Sequence, residues 1–173
     1  MAAVVLSPLD PERDLDAVAA VYARAADYLS VESGLTPDTA AQAFFEDRPP
    51  ASTQEPFKFA VAGADGAPIA IGDLAFGYPE PEDAYLGLLL LIPEARCRGL
   101  GEAIFGEVKH IASLRGASRL LVGVLDVNAR ARAFWERRGF KLSQTSGPHA
   151  FGERRHIVHR FELSLGCSLG KYP

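Results

Sequence analysis

The sequence of 173 residues predicts a single α/β domain, residues 1–173, whose sheet combines antiparallel and parallel strands. Around residue 57 the apolar pattern changes to a period of two, which is typical of an antiparallel hairpin. From residue 85 onward an apolar strand, an amphipathic helix and a second apolar strand follow one another. That order predicts a right-handed parallel unit next to the hairpin.

Two helices precede the hairpin. Asp10 or Asp14 can cap the first helix, whose apolar positions keep one face from residue 15 to residue 29. Thr36 before Pro37 begins the second helix, because a capping hydroxyl and proline at the first helical position favour a helix start. The Pro-Pro pair at residues 49–50 ends it.

The first strands lie in the middle of the chain. Apolar residues alternate over residues 57–62, residues 64–67 form a turn, and residues 69–74 continue the alternation. A loop rich in proline and acidic residues follows at 77–83. Residues 85–92 are apolar on both faces, which predicts a central strand covered on each side.

The second half continues with alternating element types. An apolar helical stripe begins at Leu100 and ends before Gly116, and residues 119–125 form the next strand. Residues 128–138 predict a short helix closed by Gly139. Late strands at 140–142 and 156–163 surround a loop.

Composition and charge indicate an ordinary globular protein with an uneven charge distribution. Apolar residues make up 48% and charged residues 23% of the chain, which excludes a disordered, collagenous or low-complexity protein. Residues 1–93 hold 15 Asp and Glu against four Lys and Arg, whereas residues 94–173 hold seven against 14. This asymmetry predicts that one half meets an anion and the other a cation.

Cysteine usage and hydropathy predict a cytoplasmic protein. Cys97 and Cys167 form neither a disulfide framework nor a metal cluster, as expected in a reducing compartment. The first residues lack the basic start of a signal peptide, and the longest apolar stretch is about half a membrane span. The histidines lack metal-ligand spacing, and the basic residues form no aromatic-interleaved patch, so neither metal nor nucleic acid is expected.

The passage from residue 91 to residue 102 runs from a buried strand through a glycine turn into a helix. Backbone N–H groups and the positive dipole end at a helix start form a site for a phosphate or pyrophosphate. Gly99 and Gly101 keep the approach open, and Arg96 and Arg98 add positive charge. The alternative is an ordinary tight connection with two solvent-facing arginines.

Other phosphate-binding motifs fit less well. A Walker loop is absent. A Rossmann dinucleotide fingerprint has support from Gly99, Gly101 and the later Asp126, but its third glycine position is Ile104. The 47 residues after Asp126 are also few for a doubly wound sheet, so this remains a lesser alternative.

Two segments together resemble a known family. The first is Arg-x-x-Gly-x-Gly after a buried strand, and the second is a strand, an Asn-led helix and a Gly-Phe ending, 27 residues further along. The matching positions are Pro93, Glu94, Arg96, Gly99 and Gly101, then Val124, Asn128, Ala131, Phe134, Trp135, Gly139 and Phe140. The chain thereby resembles the GNAT superfamily of acyl-CoA-dependent N-acyltransferases. The resemblance implies a mixed, mostly antiparallel sheet of six or seven strands, about four flanking helices, and acetyl-CoA as co-substrate.

The same resemblance implies a set of CoA-binding residues. The backbone of Leu91 and Ile92 would pair with the pantetheine arm in a slot opened by a β-bulge, and Asn128 would hold the arm from the other side or simply cap its helix. Phe134 would pack on that arm or in the core, and Arg137 would reach the adenosine phosphates or remain solvated. The pyrophosphate would bind to backbone N–H groups of Cys97, Arg98, Gly99, Leu100, Gly101 and Glu102.

The implied chemistry is direct transfer of acetyl from the thioester to a primary amine. The ammonium, with a pKa near 10.4, must first lose its proton, and the oxyanion needs a donor such as the backbone N–H of Leu91 or Ile92. Asp83 is the first candidate for the base and Tyr85 the second. The alternative is that Asp83 is a solvated loop acid and Tyr85 a core aromatic residue.

One position departs from the family pattern. Many members carry tyrosine seven residues after the asparagine to protonate the leaving thiolate, and here that residue is Trp135, which has no titratable proton. A water or another tyrosine such as Tyr78 can substitute. The departure motivates an alternative function, a catalytically weak acyl-CoA-binding or sensing module.

The acceptor is expected to be a small molecule or peptide that carries a primary amine. The acids of the negative half are expected to wall the acceptor side and to favour a cationic acceptor. A homodimer is one of the oligomeric states that the sequence leaves open. These acids are Asp27, Glu32, Asp73, Glu80, Glu82 and Asp83.

Overall fold

The computed structural model describes residues 4–50 and 54–166, so Cys167 and the end of the chain lie outside the described residues. Five α-helices and seven strands form within these ranges. The helices are α1 (Pro11–Arg24), α2 (Ala26–Glu32), α3 (Pro37–Glu46), α4 (Leu100–Leu114) and α5 (Ala129–Glu136). The strands are β1 (Ser7–Pro8), β2 (Phe57–Ala62), β3 (Pro68–Phe76), β4 (Asp83–Leu91), β5 (Arg119–Leu125), β6 (Lys141–Phe151) and β7 (Arg154–Ser164).

The strands form one sheet in the order β1-β2-β3-β4-β5-β7-β6. The pair β4–β5 is parallel, and the other neighbouring pairs are antiparallel. The mixed, mostly antiparallel sheet is therefore confirmed, with α4 as the crossover of its parallel unit. The Rossmann alternative is wrong, because it requires a doubly wound parallel sheet.

Two apolar layers cover the two faces of the sheet. On one face α4 and α5 bury residues such as Ile104, Val108 and Trp135 against the strands. On the other face α1, α2 and α3 bury Val18, Leu29 and their neighbours. The sheet is thus enclosed at its centre, which explains why β4 carries no charged residue after Asp83.

The amino-terminal helix was expected to run unbroken to residue 29, and that prediction is wrong. The chain leaves helical geometry at Ala25 (φ −98°, ψ 36°), and a second helix, α2, begins at the next residue. The apolar spacing continues across the break, so both helices bury the same kind of face. The break turns α2 toward the glycine turn, where its Asp27 pairs with Arg96.

The carboxyl-terminal hairpin is longer than its sequence indicates. Strands β6 and β7 have 11 residues each, whereas short strands around a loop were expected. Nearly every residue of β6 is exposed, so its residues show no apolar alternation. The hairpin tip contacts the α2–α3 connection, where the backbone N–H of Glu153 donates to the carbonyl of Ser33 over 2.8 Å.

Candidate active site

A slot opens between the two parallel strands at the centre of the sheet. Strands β4 and β5 pair from Asp83 opposite Arg119 to Leu86 opposite Val122, and the pairing ends there. At the same level Gly87 is an extra residue in β4, because Leu86 pairs with Leu74 of β3 while Leu88 pairs with Asp73. This β-bulge bends β4 and accompanies its separation from β5.

The bulge also exchanges the faces of β4. Before it, Leu86 points into the layer of α4. After it, Leu90 points into the layer of α1 to α3, although a regular strand would place two residues four apart on the same face. The apolar residues of β4 therefore contribute to the layer of α4 before the bulge and to the layer of α1 to α3 after it.

Beyond the bulge, some backbone N–H groups of β4 bind β3 and the others face the slot. The N–H of Ile92 donates to the carbonyl of Ile69 over 3.0 Å, so it is not free to bind pantetheine or an oxyanion. Alternate residues of a strand direct their N–H groups to opposite sides. The N–H groups of Leu89 and Leu91 therefore face the slot. The expectation for Leu91 is compatible with this geometry, and that for the N–H of Ile92 is wrong.

The glycine turn presents an uncapped helix start. Cys97 (φ 60°) and Gly99 (φ 79°) both adopt left-handed backbone conformations, and α4 begins at the next residue. Asp10 and Thr36 cap α1 and α3 with their side chains, but Gly99 has no such group to offer α4. The N–H groups of the first turn of a helix lack intrahelical acceptors, so they are available to an anion.

Arg96 connects this turn to other elements of the chain. Its Nε donates to the carbonyl of Leu91 over 2.9 Å, and its Nη2 donates to Asp27 over 3.1 Å. The hydrogen bond from Arg96 lowers the pKa of Asp27 below its usual value. Arg96 therefore positions the turn against α2, while Arg98 remains exposed.

The second predicted binding segment lies beside the turn. Asn128 caps α5, since its Oδ1 accepts from the N–H of Ala131 over 3.0 Å, and no described residue accepts from its Nδ2. Phe134 lies against Gly101, where an added Cβ would come within 3.3 Å of the ring. Arg137 is exposed. Asn128 thus keeps a donor for a ligand while it also stabilises the helix.

Trp135 occupies the core and not the slot. Only 6% of it is exposed, and its ring makes edge contacts with Phe105 and Phe140. An indole N–H at this position cannot serve as a proton donor for a leaving thiolate.

Asp83 has a different environment from the one expected of a base. It lies at the start of β4, where Arg119 contacts its two carboxylate oxygens at 2.8 and 2.7 Å. The slot begins beyond Leu86, three residues further along the strand. This geometry favours an ion pair that fastens β4 to β5, and Glu80 and Glu82 share this end of the sheet with it.

Tyr85 reaches the start of the slot on the sheet face covered by α1 to α3, where the acceptor is expected and which we call the acceptor face. Its hydroxyl lies over Gly123, the first β5 residue beyond the paired segment, where an added Cβ would be only 2.6 Å away. Tyr78 packs edge-on against its ring at 5.5 Å between centroids. Burial raises the pKa of Tyr85, so the group is a neutral phenol at physiological pH and can donate a hydrogen bond.

Asp73 lies on β3, the neighbour of β4 on the side away from β5, and its carboxylate approaches the bulge. Its Oδ2 accepts from Nζ of the buried Lys58 over 2.8 Å and lies 3.9 Å from the position of an added Cβ on Gly87. In the sequence Asp73 is recognisable only as an acid of the acceptor wall. Its position next to the bulge depends on the β3–β4 register, which no motif indicates.

Glu32 is the last residue of α2 and one of the acids expected on the acceptor side. The hydroxyl of Tyr28 donates to its carboxylate over 3.0 Å, and burial raises the pKa of Glu32. His156 of the hairpin lies 2.8 Å from its backbone carbonyl. Of the six acids expected to wall the acceptor side, Asp27, Glu32 and Asp73 lie on α2 and β3, whereas Glu80, Glu82 and Asp83 lie at the end of β4 away from the glycine turn.

Metal-binding clusters and membrane-spanning helices are both missing from the described ranges. These ranges contain no group of three or more His, Cys, Asp or Glu side chains placed to hold a metal ion. In the same residues, no helix combines the length and apolar character needed to cross a bilayer.

Known proteins share this architecture. The sequence model of the acetyltransferase (GNAT) family matches residues 18–140. The chain resembles an acetyltransferase from Thermus thermophilus with 23% identity and a TM-score of 0.73, over 94% of this chain and 97% of that one. It resembles the ribosomal-protein-S18-alanine N-acetyltransferase from Escherichia coli with 19% identity and a TM-score of 0.68, over 98% and 99% of the two chains. No curated protein matches the sequence.

Proposed function

The chain belongs to the acetyltransferase (GNAT) family, and from this membership we propose that it moves an acetyl group from acetyl-CoA to a primary amine of a small molecule or peptide. The observation that carries the proposal is the slot between β4 and β5, which opens beside the uncapped start of α4. A slot for an extended thioester arm next to a site for an anion suits CoA.

The residues present fit this co-substrate. An added Cβ on Gly99 would meet nothing within 4 Å, so a phosphate can approach the N–H groups of the turn. The N–H groups of Leu89 and Leu91 would hold the pantetheine amides or the oxyanion from β4, and Nδ2 of Asn128 would bind from the start of α5, beyond the end of β5. Bound acetyl-CoA supplies the activated acyl group, and the chain supplies orientation and donors.

The proposed transfer needs a proton donor in place of Trp135. The hydroxyl of Tyr85 lies where β4 and β5 separate, and its neutral form can give a proton or a hydrogen bond to the departing thiolate. Tyr85, the second candidate for the base, is better suited to donate a hydrogen bond than to accept a proton, because burial disfavours its phenolate.

We expect Tyr85→Phe to lower kcat by about 10- to 100-fold, because the variant keeps the ring but removes the donor. Affinity for CoA should remain within about twofold of the wild type, since the hydroxyl lies on the acceptor face and not at the turn. Steady-state kinetics and CoA titration measure the two effects. A kcat equal to that of the wild type would assign the donor role to water.

The activity itself is tested with purified protein, acetyl-CoA, a panel of amines and a thiol reagent that detects free CoA. We expect thiol release that depends on the amine, with acceptors that carry additional positive charge preferred at low salt, because Asp27, Glu32 and Asp73 lie on the acceptor side. Tight CoA binding with no amine-dependent release over a broad panel would instead support the acyl-CoA-sensing module that the buried Trp135 suggests. A preference for acidic amines would contradict the expected acceptor class.

A further inference from the structure

We propose that Asp73 binds the ammonium group of the acceptor at the β4 bulge and takes its proton. This inference rests on the proposed acetyl transfer and names the group that prepares the amine. Asp83, the residue expected from the sequence, is engaged with Arg119 at the other end of the paired segment.

Asp73 lies at the point where β4 separates from β5. It pairs with Leu88, and its carboxylate stands beside Gly87, at the level where β4 and β5 cease to pair after Leu86. Gly87 is exposed, and with no side chain it leaves the space in front of Oδ2 open. The hydroxyl of Tyr85 reaches the same level from the β5 side, so an acid and a donor flank the start of the slot.

The bonding of Asp73 is incomplete. Its side chain is 9% exposed, and Oδ2 accepts from Lys58 while Oδ1 is enclosed and has no partner among the described residues. A carboxylate with one unpartnered oxygen is less stabilised in its charged form and holds a proton more readily. The ammonium of Lys58 favours the charged form of this carboxylate, and Oδ2 has a second lone pair for the ammonium of an acceptor.

Several other groups act on this carboxylate. Lys58 on β2 lies closest, Asp47 and Arg48 follow α3, and Tyr22 of α1 interacts with it from the helical layer. Burial raises the pKa of Asp73, and Lys58 partly opposes that rise. A raised pKa moves the carboxylate toward the basicity that proton abstraction needs.

The proposed transfer conserves atoms and charge. The ammonium gives one proton to Oδ2 of Asp73, and the neutral amine attacks the thioester carbonyl carbon, forming the C–N bond. The C–S bond breaks, CoA leaves as a thiolate, and the second nitrogen proton passes to the sulfur with help from Tyr85. Asp73 then releases its proton to solvent, so the products are the acetylated amine, CoA thiol and one proton.

Asp73→Asn tests the proposal, with Asp83→Asn as a matched control that makes the same change in a second buried, ion-paired aspartate. At neutral pH we expect Asp73→Asn to lower kcat/KM by about 10²- to 10⁴-fold. The deficit should shrink as the pH approaches that of amine ionisation near 10.4, because free amine then needs no base. The wild-type profile should fall on its acid side as Asp73 is protonated, an inflection that Asp83→Asn keeps and Asp73→Asn loses.

Gly87→Val provides an independent variant in case Asp73→Asn does not fold. An added Cβ there meets nothing closer than 3.9 Å, so the position has room for a Cβ, and the methyl groups of valine extend toward the expected place of the ammonium. We expect the KM for the amine to rise at least about tenfold with unchanged CoA affinity.

These experiments distinguish a failure of the proposed acetyl transfer from a failure of the role proposed for Asp73. Wild-type protein without amine-dependent transfer overturns the proposed function. An active wild type whose Asp73→Asn variant keeps its kcat/KM and pH profile overturns only the role of Asp73, as does an unchanged amine KM in Gly87→Val. If the pH profile of Asp83→Asn lacks the acid-side inflection, Asp83 and not Asp73 is the base.

Discussion

Gly99→Glu is expected to abolish CoA binding while the protein remains folded. An added Cβ at Gly99 meets no atom within 4 Å, so the glutamate extends into open space at the start of α4. Its carboxylate would bind the free N–H groups of the first turn and repel the pyrophosphate. We expect affinity to fall by more than about 100-fold, measured by calorimetric titration with CoA.

Gly116→Glu is the matched control for this prediction. Gly116 also has a left-handed conformation (φ 81°) with open space around it, but it follows the carboxyl end of the same helix. Both variants carry the same side chain and a similar backbone cost of about 1–2 kcal/mol. Because a carboxylate is disfavoured at the carboxyl end of a helix, Gly116→Glu should lose at least as much stability as Gly99→Glu and still bind CoA. Equal affinities in the two variants would place the anion site elsewhere.

The parallel unit was predictable because its determinants are local. Residues 85–125 contain an apolar strand, a helix with a regular apolar stripe and a second apolar strand, and glycines mark the turn between them. The break at Ala25 was not predictable in this way. Alanine favours the helix, and the break arises from the docking of α2 on Arg96 and on the hairpin tip.

The interior of the candidate site was less accessible to sequence reasoning. The bulge at Gly87 lies inside an uninterrupted apolar run, where a change of face leaves the hydropathy pattern unaltered. The partners of Arg96 and Asp83 lie 69 and 36 residues away, respectively, so their ion pairs depend on tertiary structure. For the same reason Asp73 was recognised as an acid of the acceptor wall but not as the carboxylate beside the slot.

Arg119→Met is expected to lower the free energy of unfolding by about 3 kcal/mol, because it leaves the carboxylate of Asp83 buried without its partner. The Asp83 side chain is 1% exposed and is covered by the guanidinium, and the pair joins the first residues of β4 and β5. Chemical denaturation measures the loss. Arg24→Met is the control, since its partner Glu94 is 65% exposed, and it should cost less than about 1 kcal/mol.

Adding Asp83→Asn to Arg119→Met decides whether the unpaired charge is the cause. The neutral amide removes the buried charge and can still accept from the N–H of Glu80, which contacts Asp83 at 3.2 Å. We therefore expect the double variant to be more stable than Arg119→Met alone, although Arg119 also contacts Glu162 at 3.2 Å and part of the loss should remain. If the double variant is as unstable as the single one, the loss comes from the packing of the arginine stem, and the ion pair does not hold the two strands together below the slot.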